Sequence, residues 1–412
     1  MPAADREHAV LIVGSGHGGA SAAMALRRLG NQGCITIVSS EPEPPYERPP
    51  LSKDYLSGER GFERLLIRPE TFWAEQGIEL LLGREAVALE AEKRLRLADG
   101  TVHGFESLIW AAGGKPRRLS CGGHDAGGVH AIRTRADVDA LRAELIDGGD
   151  IAVVGGGYIG LEAAAILTKL GKKITVLEAA ERVLARVSSA PLSRFLEAEH
   201  RRRGVDVHLN VTVERIEVHD GAATGVRLTD GRFIPATIVI VGIGIDPCIA
   251  PLAAAGAAIG ARGVTVDPFC RTSLDGVYAV GDCVEFANSF ADGATIRLES
   301  VQNATDQATV AARAIMGVAE PYVALPWFWS EQYDFRLQTV GISLGHDRIV
   351  VRGNVDAPGF SLLYLKRGKV IALDCVSNVK DYVQGRLLIM SGKVVAPDLL
   401  SDSNVPLKSL AA

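Results

Sequence analysis

The sequence lacks the features that would place a chain in a membrane, in an oxidising compartment or on nucleic acid. Among its 412 residues, no stretch reaches the roughly 18 consecutive apolar residues that a spanning helix needs. The six cysteines (Cys34, Cys121, Cys248, Cys270, Cys283 and Cys375) form no CxxC or similarly close pair. That argues against a disulfide framework, predicts no metal site, and fits a reducing compartment. The net charge is −5 and no long basic run is present, so a nucleic-acid partner is not expected. The densest basic cluster, Arg201, Arg202 and Arg203, precedes Gly204 where a helix is expected to end, a place that the helix dipole favours for cations. The first residues carry no charged-then-apolar leader pattern, and the expected location is the cytoplasm.

What is present is a duplication. The length predicts two or three domains. Residues 9–13 (AVLIV) read as a buried parallel strand, followed at once by Gly14, Gly16, His17, Gly18 and Gly19, then by a small-residue helix over 20–29 and a second strand over 35–38. The same order returns at 151–154, with Gly155, Gly157, Tyr158, Ile159 and Gly160, a helix over 161–170 and a strand over 174–177. Downstream the likeness continues. A hairpin signal at Asp99-Gly100 precedes an apolar strand ending in Ala112 and Gly113. Hairpin signals at Asp220-Gly221 and Asp230-Gly231 precede a strand at 238–241 that ends in Gly242, with Gly244 beyond.

Each GxGxxG turn has the residues a pyrophosphate needs. Glycine permits the tight turn, lets backbone N–H groups approach the phosphates and packs helix on strand, while the helix N-terminus offers partial positive charge. An acid at the end of the second strand would hold the ribose hydroxyls. Glu178 fits, and its carboxylate would repel a 2′-phosphate, so NADH is expected over NADPH. In the first copy that contact lies open between Ser40 and Glu41. Two dinucleotides on one chain suggest a bound flavin and a diffusing nicotinamide, with a hydride passing between them.

Other landmarks are a loop over 42–50 with five prolines, a strand at 277–280 ending in Gly281 and Asp282, and a long helix over 300–316. Beyond residue 321 the alternating strands at 360–365 and 370–376 flank a turn at Arg367-Gly368, and a helix over 379–390 follows, as in a separate α+β unit.

Six segments carry a family resemblance: PPLSK at 49–53, AGGKP at 112–116, GGGYIGLE at 155–162, AVGDC at 279–283, ESV at 299–301 and WFWSEQ at 327–332. With them the chain resembles the NADH-dependent ferredoxin reductases of bacterial oxygenase systems, a group of the FAD-dependent pyridine nucleotide-disulfide oxidoreductases. The resemblance implies an α/β fold with two Rossmann-like dinucleotide-binding domains in the glutathione-reductase-like arrangement, plus a C-terminal α+β domain. It divides the chain into an FAD domain of residues 1–115 and 246–325, an NAD domain of 116–245, and a C-terminal domain of 326–412. The first turn would hold FAD and the second NADH.

By the same resemblance Asp282 would contact the ribityl chain, Val301 would lie near the flavin ring, and Ala86 would meet the adenine part. Arg48 and Pro49 would wall the flavin pocket, and Arg133 would add an FAD contact. Lys53 and Glu162 would form a functional pair beside flavin N5, with Trp329 against the ring. Residues 39–60 contain no cysteine, and Cys34 has no partner thiol, so electrons would leave directly to a small acidic 2Fe–2S ferredoxin serving a haem-thiolate monooxygenase or an aromatic-ring dioxygenase. Arg313, Arg386, Lys393 and Lys408 are the expected docking cations. Two other readings keep parts of this scheme: a quinone, dye or dioxygen reductase, and a redox-switched binding protein resembling apoptosis-inducing factor.

Overall fold

The computed structural model describes residues 6–411. Residues 1–5, on which the reading of the leader partly rests, lie outside them. The chain divides into two compact units. The first comprises Met1–Arg48, Phe62–Lys115 and Asp246–Phe328; the second comprises Pro49–Gly61, Pro116–Ile245 and Trp329–Ala412.

The first unit is built on a sheet whose strands run in the order Ile78–Leu81, Ile35–Val38, Arg6–Val13, Val102–Trp110, Arg94–Leu97, Ala86–Glu90, with Val277–Ala279 also paired to Val102–Trp110. The strands Ile78–Leu81, Ile35–Val38, Arg6–Val13, Val102–Trp110 and Val277–Ala279 pair in parallel. Burial on both faces explains the largely apolar runs of the two adjacent strands at 10–13 and 35–38. One face packs Val10, Ile12, Ile35 and Ile37 against Ala20, Ala23 and Leu26 of the helix His17–Arg28 and Ala308, Ala311 and Ala312 of the helix Val301–Ile315. The small side chains let these two helices lie close. The other face buries Leu11, Val13, Leu108 and Trp110 with Phe105 and Phe286. Asp99-Gly100 makes the expected hairpin between Arg94–Leu97 and Val102–Trp110, with Gly100 at φ +86°.

The second unit repeats the plan in a five-stranded parallel sheet: Asp206–His208, Ile174–Leu177, Ile151–Val154, Ile238–Val241 and Val129–His130. Asp220-Gly221 and Asp230-Gly231 turn hairpins in the three-stranded meander Val213–His219, Ala222–Leu228 and Phe233–Pro235. The C-terminal part is an antiparallel sheet in the order Trp327–Gln332, Phe335–Gly341, Lys369–Val376, Phe360–Lys366, Arg348–Arg352. The unit boundary falls within its edge strand, after Phe328. The helix Val379–Ser391 packs on this sheet: a Cβ on Gly385 would stand 2.4 Å from the Leu373 side chain, so a larger residue there must displace that leucine.

Two helices begin earlier than expected. The helices start at His17 and Tyr158, three residues ahead of the expected positions 20 and 161. The last residues of each glycine motif are therefore the first helical turn. Among the described residues no helix is long and apolar enough to cross a membrane.

Candidate functional site

In both units the glycine turn sits at the carboxyl end of the central strand. The Gly14 N–H donates to the Val38 carbonyl at 2.7 Å, and the Gly155 N–H donates to the Leu177 carbonyl at 2.8 Å. The first glycine of each motif is left-handed, at φ +106° and +108°. A Cβ there would stand 2.3 Å from the Ala111 oxygen in one turn and 2.4 Å from the Gly242 oxygen in the other. The third glycine, Gly19 or Gly160, closes on the first: a Cβ would stand 1.8 Å from the Gly14 oxygen and 2.3 Å from the Gly155 oxygen. Side chains are thus excluded at the two ends of each turn by the backbone itself.

The middle glycine differs. A Cβ on Gly16 would meet nothing within 4 Å, and one on Gly157 only the Gly242 oxygen at 3.8 Å. These are the N-caps of the two helices, and neither has a side-chain cap or an acid in its first turn. Three other long helices are capped by side chains, through Thr134, Ser300 and Asn378, whereas Ala190–Arg202 is not. Open space over uncapped N–H groups is the arrangement that receives a phosphate. Both turns therefore fit a dinucleotide.

Around the first turn the predicted residues assemble as follows. Ala112 and Gly113 follow Val102–Trp110, and the Ala111 N–H donates to the Val13 carbonyl at 2.7 Å. A Cβ on Gly18 would lie 3.3 Å from Val280. Gly281, at φ +80°, donates its N–H to the Gln307 side-chain oxygen at 2.8 Å, and Asp282 follows it. Val301 opens its helix behind Ser300, whose hydroxyl accepts from the Asn303 N–H at 3.1 Å. Ala86 begins a strand next to a segment held against the end of Ile35–Val38, where the Arg84 N–H donates to the Ser39 carbonyl.

The two copies differ directly after their second strand. The residue that occupies the place of Glu178 in the first copy is Ser39, directly after the strand, with its hydroxyl 2.7 Å from that of Ser15. Ser40 is exposed. Glu41 is held by Arg48 at 2.5 Å and by the Tyr46 hydroxyl at 2.5 Å. In the second copy Glu178 accepts from the Gly156 N–H at 2.6 Å and the Ala180 N–H at 2.8 Å, so its carboxylate is fixed at the turn. Gly244 lies in an exposed loop at φ +104°, and Arg186 would come within 4.0 Å of a Cβ there.

The second unit also contains the pair Lys53 and Glu162. Glu162 is 2% exposed, inside the helix Tyr158–Lys169. Lys53 Nζ lies 2.6 Å from Glu162 Oε2. The same carboxylate accepts from the Ser52 hydroxyl at 2.6 Å and, on its other oxygen, from the Ser330 hydroxyl at 2.7 Å. Ser52 and Ser330 were present in the quoted segments, but no spacing joins them to a helix far away in the chain. Pro49 accepts a second bond from Lys53 through its carbonyl, at 3.2 Å. Trp329 is half-buried next to Ser330, and Arg133 directly precedes the capping box of the helix Arg135–Glu144.

Two further groups give this region its electrostatics. Burial, reinforced by the charges of Asp374 and Glu162, pushes the Tyr158 hydroxyl far above its ordinary pKa, so it stays a neutral donor. Burial pushes the Asp374 carboxyl up to about 6, against the Tyr364 hydroxyl that hydrogen-bonds it.

Comparison with known proteins agrees with this geometry. Residues 8–308 match the family described as pyridine nucleotide-disulphide oxidoreductase, and residues 327–411 match the reductase C-terminal family. The chain is 56% identical, over 98% of both chains, to the 5,5′-dehydrodivanillate O-demethylase ferredoxin reductase subunit of Sphingobium sp.. It is 38% identical to putidaredoxin reductase of Pseudomonas putida, over 98% of this chain and 96% of the other. The solved ferredoxin reductase for the CYP199A2 system of Rhodopseudomonas palustris superposes with a TM-score of 0.94 at 38% identity, covering 98% of this chain and 99% of that one. The covalent putidaredoxin reductase–putidaredoxin complex gives a TM-score of 0.94 at 37% identity, covering 99% and 98%. With two glycine turns of one geometry and relatives alike over their full length, the chain belongs to the pyridine nucleotide-disulphide oxidoreductase family and carries its reductase C-terminal domain.

Proposed function

We propose that this chain is an NADH-dependent ferredoxin reductase, with FAD held by the turn from Gly14 to Gly19 and NADH received by the turn from Gly155 to Gly160. Bound there, FAD would supply a two-electron acceptor for the hydride of NADH and a one-electron donor for a small 2Fe–2S ferredoxin that serves an oxygenase. The observation that carries the reading is the repeated turn, open at Gly16 and Gly157 and closed at the flanking glycines. Glu178 selects the coenzyme: its ionised oxygens accept from ribose hydroxyls and disfavour a 2′-phosphate. Lys53 places a cation for the reacting flavin edge, and the Glu162 carboxylate holds that cation in position. Asp282, Val301, Ala86, Arg48, Pro49, Arg133 and Trp329 would supply the remaining flavin contacts.

The division into an FAD domain (1–115 and 246–325), an NAD domain (116–245) and a C-terminal domain (326–412) belongs to the same proposal. So does a cytoplasmic location, which six unpaired cysteines support. The lack of any cysteine between residues 39 and 60 favours an external one-electron carrier over a thiol relay. The test is to purify the chain, record its flavin spectrum, and follow reduction of a panel of 2Fe–2S ferredoxins with NADH and with NADPH. A colourless protein that FAD cannot reconstitute would sink the proposal. So would rapid NADH oxidation that no ferredoxin accelerates.

A further inference from the structure

At the amino end of the first unit's sheet a second group of ligating side chains comes together. His8 lies on Arg6–Val13, Cys34 directly precedes Ile35–Val38, and Glu79 lies on Ile78–Leu81, three neighbouring parallel strands. Five residues of strand, about 17 Å at 3.3 Å per residue, separate His8 from Val13 and the glycine turn. The group is therefore at the opposite end of the sheet from the dinucleotide site.

We propose that His8 Nδ1, Cys34 Sγ and the Glu79 carboxylate form a binding site for a divalent transition metal, zinc in the first instance, with a solvent molecule as fourth ligand. One ligand atom from each residue lies within 4.8 Å of the other two. A tetrahedral zinc ion with bonds of about 2.3 Å to sulfur and 2.05 Å to nitrogen holds those two atoms about 3.6 Å apart. Cys34 Sγ and His8 Nδ1 are 3.6 Å apart. The Glu79 carboxylate oxygen, within 4.8 Å of both atoms, is the third protein ligand.

The surroundings suit an ion as well. A metal-bound histidine needs a hydrogen bond on its other nitrogen to fix its ring. His8 Nε2 has that partner in His103 Nδ1, at 3.0 Å. His8 is 1% exposed and so is rigidly held, whereas Cys34 is exposed and gives an ion a way in from solvent. Thr36 draws the ligands together: its hydroxyl donates to Glu79 at 3.0 Å and lies 2.8 Å from His8 Nδ1. On binding, the Cys34 thiol loses its proton to solvent as the zinc–sulfur bond forms. Because the Thr36 hydroxyl donates to Glu79, His8 Nδ1–H donates to the Thr36 oxygen in the metal-free chain. Zinc takes that place, and the His8 proton moves through solvent to Nε2, which donates to His103 Nδ1, while His103 carries its own proton on Nε2. No electrons move, so the site is independent of the flavin chemistry. The set of one thiolate, one imidazole and one carboxylate favours zinc over magnesium or calcium, which prefer all-oxygen sites. No spacing motif signals it, because the ligands come from three separate strands.

The site is tested on the full flavin-loaded chain, stripped with a chelator and titrated with zinc chloride by calorimetry, with metal content measured after gel filtration. We expect one zinc per chain, a higher thermal midpoint with zinc that chelator reverses, and protection of one thiol from a thiol reagent. Cys34→Ser, His8→Gln and Glu79→Gln should each weaken zinc binding at least tenfold, while Cys121→Ser should not. Cys34 is exposed, so Cys34→Ser should keep the wild-type flavin spectrum and unchanged NADH-driven dye reduction even if His8→Gln folds poorly. Failure to bind one zinc per chain, or zinc binding that survives Cys34→Ser at full strength, would overturn the proposal. In either case the ligands would be no more than a hydrogen-bonded polar cluster.

Discussion

Lys53 and Glu162 are joined by a 2.6 Å ion pair in which the carboxylate is 2% exposed. Its other donors, Ser52 and Ser330, leave little of the carboxylate without a hydrogen bond. Such a group is costly to remove, because its partners then stay buried without an acceptor. Glu162→Ala should lower stability by about 3 kcal/mol, read as a lower denaturation midpoint. Glu162→Gln keeps the shape and one acceptor oxygen but leaves the lysine charge unanswered. We expect it to retain FAD while stopped-flow reduction by NADH slows by on the order of 10- to 100-fold. Unchanged reduction would mean that the pair only ties the segment Pro49–Gly61 to its helix.

Gly16 and Gly19 should respond to alanine in opposite ways. At Gly16 an added methyl meets nothing within 4 Å of the chain, so the fold should tolerate Gly16→Ala. At Gly19 the methyl would stand 1.8 Å from the Gly14 oxygen, so the turn itself must open. Gly16→Ala is therefore expected to purify folded, with normal thermal stability before FAD is added, but to bind FAD more weakly because the methyl occupies ligand space. Gly19→Ala should lose both flavin and stability. Equal flavin affinity for Gly16→Ala and the wild type would argue that the pyrophosphate lies elsewhere.

These contrasts mark where the sequence was readable. The strands at 35–38, 151–154, 174–177 and 238–241 were expected at those bounds, because each is a short β-branched run that both faces of a parallel sheet bury. The helix starts were misplaced by three residues because glycine reads as a loop, yet Gly18-Gly19 and Gly160 are helical here for close packing. The first copy has Ser39 and no acid directly after its strand, so the pattern of an acid at that place leads past it to Glu41. Ser52 and Ser330 could not be found by spacing, since they meet Glu162 across 110 and 168 residues. Local periodicity records which face is buried; it carries no record of which distant side chains share one carboxylate.

Glu178 should decide the choice of coenzyme. Its two oxygens accept from the Gly156 and Ala180 N–H groups at 2.6 and 2.8 Å, which points the carboxylate at the turn and leaves lone pairs for a ribose diol. A charged hydrogen bond of this kind contributes about 1.5–3 kcal/mol. Glu178→Ala should raise KM for NADH by roughly 10- to 100-fold, with a smaller change for NADPH, since the repulsion of a 2′-phosphate is removed as well. The check is the ratio of kcat/KM for the two coenzymes. A ratio equal to that of the wild type would remove Glu178 from ribose recognition.

His200 gives a pH signature with a definite sign. Its ring is 0% exposed, 2.9 Å from the Gln332 side-chain oxygen and 2.9 Å from the Tyr333 hydroxyl. Burial pulls its pKa down from 6.5 to about 4, with the Gln332 hydrogen bond opposing and Arg203 adding to the fall. The unfolded chain therefore binds a proton between pH 6.5 and 4 that the fold refuses. Stability from this residue is full above pH 6.5 and is lost as pH falls towards 4. Integrated from pH 6.5 to 4.5, the loss is about 2 kcal/mol. Compared with the wild type, His200→Gln should thus be destabilised less by that acid shift, measured as the difference in denaturant midpoint at the two pH values. Parallel pH dependence in both proteins would show that His200 is protonated inside the fold.

Arg386, Lys393 and Lys408 offer the test of the electron acceptor. All three belong to the second unit, on or beside the helices Val379–Ser391 and Leu407–Ala411. Arg386 lies over the Tyr382 ring at 5.9 Å, while Lys393 and Lys408 are exposed. Arg313 belongs to the first unit and is already ion-paired with Glu320. An acidic ferredoxin steered by exposed cations should associate more slowly once their sign is reversed, and the effect should fade as salt shortens the reach of the charges. We expect Arg386→Glu with Lys393→Glu and Lys408→Glu to cut kcat/KM for ferredoxin by on the order of tenfold at low ionic strength. NADH-driven ferricyanide reduction should stay unchanged, because the small oxidant needs no docking face. Arg313→Glu should have the smaller effect, since Glu320 already offsets its charge. A loss of both activities would place these cations in the protein's stability, and a loss of neither would move the docking face to another part of the surface.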